Sequence, residues 1–157
     1  MARSTGEPSD TVWLYDVRGH TARRSFGDKS TLALAWSIDG RWCAAGLDDG
    51  SVLLADAATF SEPQRISLST SPVAALAFHA SGLFLASAHS DKRIILSRVP
   101  TGEKLFTFGP PLPPNPFFPR VVEEIAFDPT GSRLAADYAE GDVRIWDTSA
   151  LAKSLAK

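Results

Sequence analysis

Three histidines (His20, His79 and His89), one cysteine (Cys43) and two adjacent carboxylate pairs (Asp48-Asp49 and Glu123-Glu124) are the residues of this chain best equipped for chemistry. Their spacing argues against a metal centre, because no two histidines, nor any histidine with Cys43, share the short intervals of structural zinc ligands. There is no nucleophile elbow of the form G-x-S-x-G, so the scattered Ser, Asp and His residues do not announce a hydrolase. A phosphate-cradling G-x-x-x-x-G-K loop is absent as well. Adjacent carboxylates point to opposite faces of a strand or into solvent from a turn, so neither pair reads as an acid/base dyad. No cofactor, metal or catalytic residue is therefore expected, and the chain reads as a non-enzyme.

Bulk properties agree. Of the 157 residues, 44% are hydrophobic and 22% charged, which suits a folded domain with a core of its own. The net charge is −2 and no cluster of Lys and Arg exceeds two neighbours, so a nucleic-acid footprint is not expected. The N-terminal MARSTGEPSD lacks the apolar centre of a signal peptide, and no run approaches the ~18 apolar residues of a membrane span. A single cysteine forbids an internal disulfide and suits a reducing compartment, so the expected location is cytoplasmic, with no membrane partner.

The elements that would position these residues emerge from self-similarity. Four segments superimpose without gaps: SDTVWLYD (9–16), DGSVLLAD (49–56), DKRIILSR (91–98) and EGDVRIWD (140–147). Each is a turn followed by an alternating strand. Upstream of the last three stands a second block: LALAWSIDGRWCAAG (32–46), VAALAFHASGLFLAS (73–87) and VEEIAFDPTGSRLAA (122–136). Each of these reads as apolar strand, aromatic, glycine turn and apolar strand. Trp36, Phe78 and Phe127 correspond, at intervals of 42 (78 − 36) and 49 (127 − 78), as do Gly40, Gly82 and Gly131.

A period near 42 made of short strands, with Trp146-Asp147 closing one of them, resembles the WD-repeat family of β-propellers. The resemblance spans roughly residues 9–150 and implies an all-β fold of four-stranded antiparallel blades. It places strand a at 32–36, b at 42–46, c at 51–55 and d at 64–68, with the order repeated from Val73 and from Val121. Residues 1–8 are expected to be disordered, 9–28 to form a partial blade, 29–70, 71–108 and 121–157 to form blades, and 109–120 to form a proline-rich loop. This makes a partial, incomplete propeller of about 3.5 blades. The tail SALAKSLAK (149–157) admits a helix or the outermost strand of the last blade.

In the family, a Gly-His pair, a serine on strand b, an aspartate in the b–c turn and a tryptophan on c form a hydrogen-bonded network. Here the resemblance preserves Ser87, the acidic turn residues Asp49, Asp91 and Glu140, and Trp146. Gly19-His20 lies 16 residues before Trp36 (36 − 20), too early for the pattern. Apolar packing is expected to replace the missing members. Large side chains at Trp13, Trp42, Phe84, Leu85 and Trp146 are expected between blades, with Trp146 largely buried and Cys43 an inert buried thiol.

The stretch GPPLPPNPFFPR (109–120) is half proline and cannot join a hydrogen-bonded ladder. By register it joins d to a, on the rim that carries the b–c turns, and the family resemblance makes that rim the usual partner-binding one. The candidate partner-binding residues are therefore Pro111, Pro114, Phe117, Phe118 and Arg120 in the loop, with Asp48, Asp49, His89, Asp91, Lys92, Glu140 and Asp142 in the turns. The two phenylalanines either tuck onto a neighbouring blade or anchor a partner. The function implied is a non-catalytic protein–protein interaction scaffold within a larger propeller or assembly. The alternative is an accessory propeller piece of a multidomain enzyme or regulator. Open end blades also point to self-association.

Overall fold

A computed structural model describes residues 12–15, 22–26, 31–59, 62–109, 122–139 and 141–154. The proline-rich loop, Glu140 and residues 1–8 lie outside these, and with them Pro111, Pro114, Phe117, Phe118 and Arg120. The described chain is built from β1 (Val12–Tyr15), β2 (Ala22–Phe26), β3 (Thr31–Trp36), β4 (Trp42–Leu47), β5 (Ser51–Asp56), β6 (Gln64–Ser67), β7 (Val73–Phe78), β8 (Phe84–His89), β9 (Ile94–Arg98), β10 (Lys104–Phe108), β11 (Val122–Phe127), β12 (Arg133–Tyr138) and β13 (Val143–Asp147), closed by α1 (Ser149–Ser154). All sheet pairings are antiparallel and sequential: a β1–β2 hairpin, a first blade β3–β6, a second blade β7–β10 and a third sheet β11–β13.

The third unit differs from expectation. It has three strands, and the segment that would supply a fourth forms the short helix α1 instead. Ala150, Leu151 and Ala152 favour a helix, while a ladder partner for β13 would need an alternating strand.

Strand β7 lies between β3 and β11, so the three a strands line up along one edge of the stack. Small residues make this approach tolerable: a Cβ on Gly46 would overlap the Val73 side chain. Each blade has a back face, toward the preceding unit, and a front face, toward the following one. Ala44, Val52 and Leu54 on the front of the first blade pack on Val73, Leu76, Leu85 and Ile95 of the second. Phe84, Ala86, Ile94 and Leu96 on the front of the second pack on Ile125, Leu134, Ala136 and Tyr138 of the third. The hairpin reaches the back of the first blade through Val12, against Cys43, Ala45, Leu47, Leu53 and Ala55. Interblade burial of such aliphatic side chains, about 1.5–3 kcal/mol each, is the main stabilising term.

Phe84 and Leu85 are fully buried between blades as anticipated, and Trp42 is half-buried. Trp146 is half-buried rather than largely buried: it tilts against Phe108 at 5.4 Å between ring centres, at the outer margin of the stack. Arg144 shares its side of β13, lying 4.8 Å over the Tyr138 ring.

Candidate functional site

The rim holding the b–c turns is where sequence placed the binding residues, and the structure shows what builds it. The d-to-a connection and the b–c turns do share that rim, because Ser69 N–H donates to Gly50 O (3.3 Å) and Ser90 N–H to Pro72 O (3.0 Å). On the first blade, Asp49 accepts from Ser51 N–H (3.1 Å) and pairs with Arg65 (2.5 Å), which leaves Asp48 as the exposed acid of the turn. On the third, exposed Asp142 lies 3.7 Å from Arg144. Lys92 sits at the tip of the second turn with φ of 68°, a left-handed conformation that a tight reversal demands.

His89 and Asp91 are corrected from surface contacts to internal supports. His89 is fully buried: Nδ1–H donates to Ser71 O (2.9 Å), and Nε2 accepts from the Ser87 hydroxyl (3.0 Å). Burial pulls its pKa below the ordinary value, offset in part by the Ser71 carbonyl and Asp91, so the ring is held neutral. Asp91 accepts from Ser71 Oγ (3.1 Å) and Arg93 Nε (2.7 Å). Burial works against its charge, yet the bonds from Arg93 and Ser71 prevail and its pKa lies below the usual carboxylate value. Arg93 continues to Ser69 Oγ (3.1 Å). The second blade thus keeps a complete polar network in which His89, at the end of strand b, and Arg93 replace the missing family members. Apolar packing did not take it over there, since buried polar groups demand partners.

Ser87 Oγ and His89 Nε2 have the separation of a nucleophile and its base. Both are fully buried and the ring's other nitrogen is held by a carbonyl, so the pair is enclosed rather than open to a substrate. His79 is also buried, in the opposite, a–b rim. Its Nε2–H donates to Gly131 O (3.0 Å), its Nδ1 accepts from Ser81 N–H (3.1 Å), and its ring stands edge-on to Phe84 and Phe127. Cys43 is buried, which pushes its thiol up to about 11, as expected of an inert residue. Among the described residues no group of three His, Cys, Asp or Glu side chains could hold a metal ion, and no helix is long and apolar enough to cross a membrane.

With two stacked four-stranded blades, a third of three strands and this internal network in view, sequence comparison is decisive. The WD domain, G-beta repeat family matches residues 12–56 and 61–96. The chain belongs to that family. The first match runs over β1–β5 and the second from β6 into β9, so the second begins on the outer strand of the first blade and continues into the second, tying neighbours together. A search of curated proteins finds no match. WD repeats are generally protein-interaction scaffolds and typically non-catalytic.

One feature escaped the sequence reading. Glu124 and Asp137 are direct cross-strand neighbours on the front face of the third blade. The signal was present in the aligned blocks, where VEEIA carries acid against LALA and VAALA, and the pairing follows from the hairpin register that runs unbroken from Phe127–Leu134 at the a–b turn to Glu124–Asp137.

Proposed function

We propose that this chain is a non-catalytic binding module that presents the b–c turn rim to a protein partner in a reducing, cytoplasmic setting. The observation that carries this reading is the buried His89–Ser71–Asp91–Arg93 network: it fixes the rim internally and leaves Asp48 and Asp142 exposed, with half-buried Lys92 at the turn tip between them. A preorganised rim loses little entropy on binding. Photo-crosslinking residues placed at 48, 92 and 142 should capture a discrete protein, while the same groups at 81 and 130 on the opposite rim should not. Equal capture from both rims, or capture of nucleic acid, would refute it.

A second reading, self-association, is favoured by the back of the first blade. Leu34 and Trp36 are 52% and 51% exposed, whereas their counterparts Leu76 and Ile125 are buried and Phe78 and Phe127 half-buried. Replacing Trp36 by Lys should then lower the mass seen by light scattering; an unchanged mass would exclude this face.

A further inference from the structure

The front faces of the three blades can be compared position by position, because the chain itself shows what covers two of them. Val52 and Leu54 are 0% and 2% exposed, and Ile94 and Leu96 are both 0%. At the same repeat positions Val143 and Ile145 are 64% and 66% exposed. If only a cover were missing, the rest of the face would repeat the pattern as well. It does not. On the front face, the cross-strand pair nearest the b–c rim is Ala33–Gly46 in the first blade, Ala75–Ala88 in the second and Glu124–Asp137 in the third. At the other end, Trp42 and Phe84 give way to exposed Arg133. The space over Gly46 is filled by Val73, and Ala88 packs in one cluster with Val122, so an apolar residue meets this position in both closed interfaces.

An apolar residue placed over Glu124 and Asp137 would strip water from two neighbouring carboxylates and return nothing. Neither carboxylate pairs with a cation among the described residues. Together with Ala126, Ala135 and Val143 they line one shallow groove. We propose that this front face docks a polypeptide segment of another protein that sets an arginine or lysine against Glu124–Asp137 and lays aliphatic side chains over Val143 and Ile145. Charge complementarity excludes a blade of the kind already in the chain, and the edge of β13, unpaired among the described residues, offers main-chain hydrogen bonds to an extended segment. The face is distinct from the turn rim and does not depend on it.

The test uses the full chain and three synthetic peptides of alternating valine and threonine carrying a central arginine, leucine or glutamate. Fluorescence anisotropy should give a Kd at least tenfold lower for the arginine peptide than for the leucine one, with the glutamate peptide weakest. The double variant Glu124→Ala, Asp137→Ala should abolish that preference; alanine stands at both corresponding positions of the second blade, so the fold is retained. Ile145→Ser should weaken the arginine and leucine peptides alike. Equal binding of these two peptides, an arginine preference that survives the double variant, or no binding by any peptide overturns the proposal. So does sedimentation showing a self-associated parent that Ile145→Arg dissolves, since a second copy would then be the occupant.

Discussion

Replacing Gly131 by Ala isolates the contact between the second and third blades at the a–b rim. Gly131 has φ of 72°, and an added Cβ would meet His79 Nε2 at less than van der Waals distance. Gly40, at the same repeat position, has φ of 70° and nothing within 4 Å of the added atom. The two substitutions therefore share backbone strain and differ in sterics. Left-handed strain costs roughly 1 kcal/mol for a residue with a Cβ, and this is all that Gly40→Ala should lose. Gly131→Ala adds overpacking of about 1–3 kcal/mol, since His79 is wedged between Phe84 and Phe127 and has no room to yield. If the ring moves, the bond from His79 to Gly131 O is lost too, about 1 kcal/mol more. The expected total is about 2–4 kcal/mol with the ring held in place, rising to about 3–5 kcal/mol if it shifts. Urea unfolding of both variants, with unchanged m-values, measures the difference. Equal losses would mean that His79 does not bridge the blades, and the interblade reasoning would fail.

Phe84→Ala should cost about 3–5 kcal/mol, because the ring is fully enclosed, whereas half-buried Trp146→Ala should cost only about 2 kcal/mol; chemical denaturation ranks them, and a reversed order would place Trp146 deeper than its position at the blade margin. Because burial holds His89 below its ordinary pKa of 6.5, the unfolded chain binds the proton first. Stability is thus full above about pH 6.5 and falls as the pH drops toward the folded-state value; His89→Gln should flatten that part of the profile, and an unaltered slope would assign it to other groups. Cys43 should resist thiol reagents at pH 8 in the native state and react at once in denaturant, since burial encloses the thiol and pushes it up to about 11; rapid native labelling would refute its placement between blade and hairpin.

Sequence alone determined the strands. The two blocks repeated in register at 32–56, 73–98 and 122–147 place a, b and c within a residue or two of β3–β5, β7–β9 and β11–β13, because period-two alternation and glycine turns are local signals that need no tertiary partner. Spacing also put the d-to-a connections and b–c turns on one rim. Tertiary structure decided what those positions do. His89 and Asp91 looked like turn residues open to a partner, yet the chain 18 and 20 residues upstream folds over them and turns them into buried supports. The last segment forms a helix rather than a fourth strand on β13, because its alanines and leucine favour a helix and it lacks the alternation a ladder strand needs. Val143 and Ile145 have the sequence of buried interblade residues and are exposed, because burial depends on what packs against a face and not on the face itself. Glu124 and Asp137 become neighbours only through the pairing of β11 with β12, whose register is set at the a–b turn and brings together residues thirteen positions apart in the chain (137 − 124).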